Sequence, residues 1–403
     1  YRGAGRPEGN YVMERLVEEA ARISGIDSVE LRRRNHIRAD QIPFTTGVGT
    51  MYDSGEFTAL LDAALDFADW SGFDARKAES AARGKLRGRG VGQYLEITAP
   101  PTSELGEILF DEDGGVTIRT GTLDFGQGHA TTFAQVLVSK LGVPFDRIRL
   151  VQGDSDLIRI GGGTGGSKST MASGAAIVEA SDQVIEIGKR AASHLLEAAV
   201  SDIEFSQGQF AVAGTDRAIG VIELARQLRM ATNLPEDCPR SLDVSHVHKA
   251  SPSAYPNGCH VAEVEVDPET GMVAVVRYSM VNDFGTVVNP MIVAGQAHGG
   301  VMQAIGQALL ERVVYDEDGQ LLTGSFTDYA MPRAAEGPPF AIMSRPTVAT
   351  TNPLGAKGCG EAGCAGGLPS VVNALIDALK DRGVTRLDMP ATPEVVWRLA
   401  NGL

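Results

Sequence analysis

Three glycine-rich stretches hold the residues that could do chemistry. The first is Gly161-Gly162-Gly163-Thr164-Gly165-Gly166-Ser167-Lys168-Ser169-Thr170, ahead of a long helical pattern. Helix N-termini present unpaired N–H groups and a positive dipole end, and glycines let a ligand approach the backbone. Hydroxyls and the Lys168 ammonium add donors, so the stretch reads as an anion cradle for a phosphate or dinucleotide. The competing reading is a tight turn with N-capping serines. The stretch approaches a Walker A loop but misses it, because Ser167 occupies the position before Lys168-Ser169 where a glycine is required.

The second stretch is Phe125-Gly126-Gln127-Gly128-His129, again opening a helix. The Gln127 amide can donate and accept hydrogen bonds to a cofactor edge, or serve as an ordinary turn residue. The third is Lys357-Gly358-Cys359-Gly360-Glu361-Ala362-Gly363-Cys364, where a single carboxylate sits among small residues before an apolar helix. Glu361 can complement the helix dipole. Alternatively it is a general base, and its neighbours lack side chains so that it can come close to a reacting oxygen. Cys359 and Cys364 lack an accompanying C-x-x-C and read as buried small thiols. His246 and His248 would share one face of a strand, but no third zinc ligand lies near them in sequence.

These stretches need elements to position them. Pro7 suits a helix start, and Met13, Leu16, Val17, Ala20 and Ile23 follow a 3.6-residue period up to Gly25. Asp53 and Glu56 resemble a capping box for a helix running to about Trp70. The polar stretch 72–89 reads as a lobe boundary. Strands follow at 90–97, 107–110 and 116–120, with a turn at Asp113-Gly114, then a helix ending at Gly142 and a strand at 148–152. A long helix is expected over 171–200, strands over 259–266 and 273–283, and helices over 293–311 and 369–379. Mixed strands and helices without strict alternation predict an α+β fold, in two-layer sandwich lobes with mixed sheets.

The composition narrows the function classes. There are 48 glycines among 403 residues, about 12% against an ordinary 7% or so, and they have no fixed period. A net charge of −15 leaves no basic face for nucleic acid. The one basic run, Arg32-Arg33-Arg34, reads as a solvated helix face. Four cysteines make no disulfide framework and predict a reducing, cytoplasmic setting. The chain opens inside a motif, as a portion of a longer protein would.

In order along the chain, these segments resemble the molybdenum subunit of the xanthine oxidase family of molybdenum hydroxylases. Tyr1-Arg2-Gly3-Ala4-Gly5-Arg6-Pro7-Glu8 resembles its turn near the metal, and Phe125-Gly126-Gln127-Gly128 its pterin-contacting loop. Gly165 to Ser169 resembles the loop that holds the pterin and its phosphates. Asp283-Phe284-Gly285 through Asn289-Pro290, then Gly295-Gln296, match a further segment, and Gly358-Cys359-Gly360-Glu361 resembles the active-site signature. The likeness is nearer to carbon monoxide dehydrogenase-like large subunits than to animal xanthine oxidases. Two positions depart from the pattern. Gly3 stands where a copper-ligating cysteine would be, which argues against a copper–molybdenum site. Ala4 stands where the purine enzymes carry an aromatic.

The resemblance implies hydroxylation of an aldehyde or N-heterocycle with water as oxygen source and Glu361 as base. It places Arg2 and Gly3 at the metal's ligand face. Phe125, Gly126, Gln127, Gly165, Gly166, Ser167, Lys168, Ser169, Gln296 and Gly360 fall around molybdopterin, in its cytosine dinucleotide form; the metal is held through the pterin. It further implies that 1–85 completes a first cofactor-binding lobe and that 86–403 is a second, with sub-lobes 86–250 and 251–403. The implied partners are the N-terminal half of the subunit, a [2Fe–2S] subunit and an FAD subunit, in an oligomer of heterotrimers. A phosphate-binding P-loop-like protein and an inactive assembly fragment are the alternatives.

Overall fold

The computed structural model describes residues 1–403. The chain begins with α1 (Arg6–Ser24) and α2 (Ser28–Asn35), a short hairpin of β1 (Phe44–Thr45) and β2 (Met51–Tyr52), then α3 (Phe57–Phe67), α4 (Phe73–Ala82) and β3 (Leu86–Leu95). A first lobe follows: β4 (Glu104–Phe110), β5 (Val116–Arg119), α5 (His129–Leu141), β6 (Ile148–Val151), α6 (Ser169–Leu195), β7 (Ile203–Ser206), β8 (Gln209–Val212), β9 (Ala218–Gly220), α7 (Val221–Met230) and β10 (Val244–His248). The chain then returns through β11 (Asn257–Val266), β12 (Val273–Asp283), α8 (Pro290–Leu309), β13 (Phe340–Ser344), α9 (Ala362–Leu379) and α10 (Pro393–Ala400).

Two four-stranded sheets carry the architecture, ordered β10-β4-β5-β6 and β13-β12-β11-β3. Each is mixed: β5–β6 and β12–β13 are parallel and the other pairs antiparallel. The α+β expectation therefore holds. The first sheet packs against α5 and α6 around large apolar side chains such as Ile108, Ile118, Phe133, Leu137 and Phe210. On the second sheet the strand period of two divides β11. Ala262 and Val264 face α8 and α9, while Cys259 and Val261 face Leu60, Leu61 and Ala64 of α3.

The second sheet meets α9 almost backbone to backbone. Gly88, Gly90 and Gly92 line one face of β3. A methyl on each would collide with the backbone of Ala374, Ser370 or Gly366. On the other side of α9, Gly363 lies against Gly300 of α8. Only glycine permits this approach.

Several sequence expectations are corrected here. Helix α9 starts at Ala362 rather than at Pro369. Its first turns carry three glycines, which disfavour helix, and are held by packing on α8 and β3. Pro369 cannot donate to the Ala365 carbonyl, and Asn10 Nδ2 of α1 donates to it instead at 2.8 Å. The stretch 72–89 is not a boundary: it contains α4 and enters β3. Its Arg87 is buried, with Nη2 2.6 Å from Glu263 and Nη1 3.2 Å from Glu265. Strand β3, placed by sequence with 86–250, hydrogen-bonds instead along β11. Arg32 is no solvated residue, since its guanidinium lies 2.7 Å from Glu14 and 2.9 Å from Glu18. Asp53 caps no helix; its Oδ2 accepts from the Thr350 N–H at 2.7 Å. Helix α9 with the turn after it is long and apolar enough to cross a membrane, yet it is mostly buried inside the protein.

Candidate cofactor cavity and base

A cavity of about 600 Å³ opens between the two lobes. Four helices start at its wall, contributing His129 and Thr132 of α5, Ser169 and Thr170 of α6, Ile292 and Gln296 of α8, and Glu361 just before α9. No side chain caps the start of α6, and its Ser169 and Thr170 line the cavity at the positive end of the helix dipole. Asn289 does cap α8, with its Oδ1 3.0 Å from the Ile292 N–H.

The glycine loop before α6 is held in a shape that few sequences allow. Gly166 has φ +65, and a Cβ there would collide with the Ala99 carbonyl. Ser167 adopts φ +58, a left-handed conformation that is costly for a non-glycine residue. The strained turn aims the Ser167 Oγ at the carboxylate of Glu361. The hydroxyl donates to Oε2 at 2.6 Å and accepts from the Glu361 N–H at 3.1 Å. The Gly3 N–H donates to Oε1 at 3.0 Å, and Arg6 Nη2 donates to the same oxygen at 2.9 Å. Three donors from two distant parts of the chain, the N-terminal turn and the loop before α6, thus fix a nearly buried carboxylate at the cavity wall.

Arg2 closes the adjacent wall. Its Nη1 donates to the Gln296 carbonyl at 2.9 Å and to the Gly360 carbonyl at 3.4 Å. Behind Glu361 a buried ion pair ties the loops together: Lys357 Nζ lies 2.6 Å from Asp283 Oδ2, with both side chains out of solvent. Lys357 also donates to Thr347 Oγ1 at 2.9 Å, and Asp283 Oδ1 accepts from the Gly285 and Thr347 N–H groups at 2.9 Å each. Burial pushes the Cys359 thiol up to about 11, so it stays neutral beside the cavity.

Of the residues singled out by sequence, Arg2, Phe125, Gln127, Gly165, Gly166, Ser167, Ser169, Gln296, Gly360 and Glu361 all line the cavity. Gly3 reaches it through its N–H on Glu361. Gly126 is a turn residue at φ +109. Lys168 is a correction: it is buried and does not line the cavity, and its Nζ donates to the Gly162 carbonyl at 3.4 Å. A P-loop lysine would have to face the ligand, so that reading loses its main support. Gln127 lines the wall, but its Oε1 accepts from the Phe125 N–H of its own loop.

Sequence reasoning missed Asp124, which organises that loop by accepting from the N–H groups of Gly126 and Gln127 at 2.7 Å and His129 at 2.8 Å. Burial opposes the charge on Asp124, but these donors outweigh it and pull its carboxyl below the usual range. The signal available was an acidic residue just before a glycine turn. The pairings of Arg6 with Glu361 and Glu96, and of Lys357 with Asp283, have no sequence signal because the partners lie far apart in the chain.

The residues present fit molybdopterin: uncapped N–H groups and hydroxyls for phosphate, side-chain amides for a heterocycle edge, and glycines where a side chain would obstruct. Models of the molybdopterin cofactor-binding domain match residues 63–338 and, for a companion domain, residues 1–36. The chain belongs to this family of molybdopterin-binding domains, as found in carbon monoxide dehydrogenase and xanthine dehydrogenase-type molybdenum subunits. It is 34% identical over 409 residues to the carbon monoxide dehydrogenase large chain of Hydrogenophaga pseudoflava, covering 97% of this chain and 50% of that one. It is 33% identical to the nicotine 6-hydroxylase large subunit of Paenarthrobacter nicotinovorans, covering 100% and 51%. Among solved structures, quinoline 2-oxidoreductase from Pseudomonas putida 86 superposes with a TM-score of 0.92 at 34% identity, covering 100% of this chain and 53% of that one. The Cu,Mo-CO dehydrogenase superposes at 0.91 with 31% identity, covering 98% and 52%. The chain therefore spans about half the length of the curated relatives it matches.

Proposed function

We propose that this chain is the base-bearing half of a molybdenum hydroxylase subunit, which oxidises a C–H of an aldehyde or N-heterocycle with water as oxygen source. The observation that carries the reading is Glu361, held by Gly3, Arg6 and Ser167 at the wall of a cavity onto which four helix starts converge. When bound, the molybdenum cofactor supplies oxygen transfer and two-electron redox chemistry. Glu361 accepts the proton released as oxygen passes to the substrate carbon. Ser167 and the Gly3 N–H keep its carboxylate from turning away. Arg2, through the Gln296 and Gly360 carbonyls, fixes the backbone on which that carboxylate sits.

The start of α6, with Ser169 and the glycines before it, would take the phosphates of a pterin, in a cytosine dinucleotide form. Gln127 and Gln296 would meet its amide edges. Phe284, Val287, Val288, Ile292 and Val293 give the cavity an apolar side suited to a flat organic substrate. The nicotine and quinoline relatives, by their names, act on N-heterocycles. Gly3 offers no thiolate for copper, and a Cβ there would collide with the Pro7 ring, so carbon monoxide is not the substrate proposed. The remaining half of the subunit and separate iron–sulfur and FAD subunits complete the enzyme, in a cytoplasmic oligomer of heterotrimers.

The test is Glu361→Gln in the full complex, assayed for turnover and molybdenum content. We expect turnover to fall by about 10²–10⁴-fold with molybdenum content unchanged. Wild-type turnover in the variant overturns the assignment.

A further inference from the structure

Glu361 shares its arginine with a second carboxylate. Arg6 Nη2 lies 2.9 Å from Glu361 Oε1, and Arg6 Nε lies 2.6 Å from Glu96 Oε1. Glu96 follows the end of β3, with its side chain only 3% exposed. Its backbone is anchored by the Glu96 N–H donating to the Pro256 carbonyl at 2.8 Å. The guanidinium therefore bridges two carboxylates far apart in the chain, of which Glu361 lines the cavity and Glu96 does not.

The two halves of the bridge differ. Arg6 donates an aligned hydrogen bond to Glu361. Its contact with Glu96 lies off the N–H direction, which leaves Glu96 Oε1 buried without a hydrogen-bond partner. The charge on that oxygen is therefore incompletely compensated. The titratable groups facing Glu96 are Arg6 from α1, Glu361 from the turn before α9, and Tyr94 on its own strand. Burial pushes the Glu96 carboxyl up to about 7; the Ile97 N–H and Arg6 oppose this, and Glu361 adds to it. One guanidinium cannot fully neutralise two carboxylates in a dry site.

We propose that Glu96 is a positioning residue for the base: it anchors Arg6 against Glu361 and divides the guanidinium's charge with it. With Glu96 ionised, Arg6 attends to both carboxylates and Glu361 keeps a stronger hold on an incoming proton. With Glu96 protonated or replaced by an amide, Arg6 pairs with Glu361 alone and the base weakens. The inference rests on Glu361 being the base.

The experiment compares wild type with Glu96→Gln and Glu96→Asp in the full complex, reading turnover against pH, KM and molybdenum content. The carboxyl stretch is titrated by infrared difference spectroscopy on the same proteins. We expect the wild-type kcat profile to carry a step near pH 7, where Glu96 ionises and Glu361 becomes the stronger base, and Glu96→Gln to lack that step, a several-fold difference in kcat across it. KM and molybdenum content stay unchanged, and Glu96→Asp lies between. The wild-type protein should lose a protonated-carboxyl band near pH 7, and Glu96→Gln should lack that band. A step retained in Glu96→Gln, or the carboxyl band retained there, overturns the proposal. If Glu96→Gln fails to fold, Glu96→Asp decides: a step and band both at their wild-type pH overturn it, and a step that moves together with the band supports it. Failure of the base reading shows separately, as turnover retained by Glu361→Gln.

Discussion

The cavity joins two lobes that solve the packing problem in different ways. The β4–β10 lobe, which supplies the glycine loops and the starts of α5 and α6, is filled by interlocking Ile, Leu, Val and Phe side chains. The β3/β11–β13 lobe, which supplies Glu361, has α9 laid onto glycines of β3 and α8 and encloses charged or polar groups: Lys357 with Asp283, Arg32 with Glu14, and His260. A side-chain core can relax around a lost methyl group. Backbone touching backbone, or a charge with one partner, has nowhere to relax. The comparison teaches that the glycines of the two lobes exist for different reasons, in one to leave room for a ligand and in the other to let a helix in.

The largest break should come at the buried ion pair. Lys357→Met leaves Asp283 charged and unpaired out of solvent, at a cost of about 3–5 kcal/mol. Chemical denaturation reads this, and an unchanged midpoint would remove the ion pair from the account.

Next comes acid. His260 is fully buried, with Nδ1 2.8 Å from the Tyr278 hydroxyl and Nε2 3.1 Å from Asn282 Oδ1, and burial lowers its pKa to about 4. A histidine depressed in the folded state contributes stability fully above its unfolded value of about 6.5 and loses it as pH falls toward 4. Wild type should therefore lose about 3 kcal/mol more than His260→Gln between pH 7 and pH 4. Parallel stability curves would refute this.

The smallest effect sharpens the contrast between the two kinds of glycine. Gly90→Ala puts a methyl into the backbone of α9 and should cost about 1–3 kcal/mol or more. Gly165→Ala meets nothing within 4 Å and should change stability by less than about 0.5 kcal/mol while lowering molybdopterin content. Equal effects on stability would erase the distinction.

Much of the cavity was legible in sequence because its parts are local signals. A glycine run before a helical period, a GQGH turn and a carboxylate among small residues each declare a close backbone approach. The start of α9 was not legible, because Ala362–Gly367 reads as loop and only packing makes it helix. Lys168 was misread for a related reason. A lysine beside a glycine loop suggests a ligand, but packing turns this side chain inward, onto the Gly162 carbonyl of its own loop. The polar stretch 72–89 looked like a linker because its arginines find Glu263 and Glu265 only across the sheet.

The sequence by itself determined the α+β class, most helix and strand positions, and the order of segments that marks the molybdopterin-binding family. These follow from periodicity and from short motifs whose chemistry is complete within a few residues. Tertiary structure alone decided that Gly3, Arg6 and Ser167 converge on Glu361 and that Glu96 meets the far side of Arg6. Hydrogen bonds and charge pairs act over about 3 Å, and no local pattern in a chain encodes a contact between residues hundreds of positions apart.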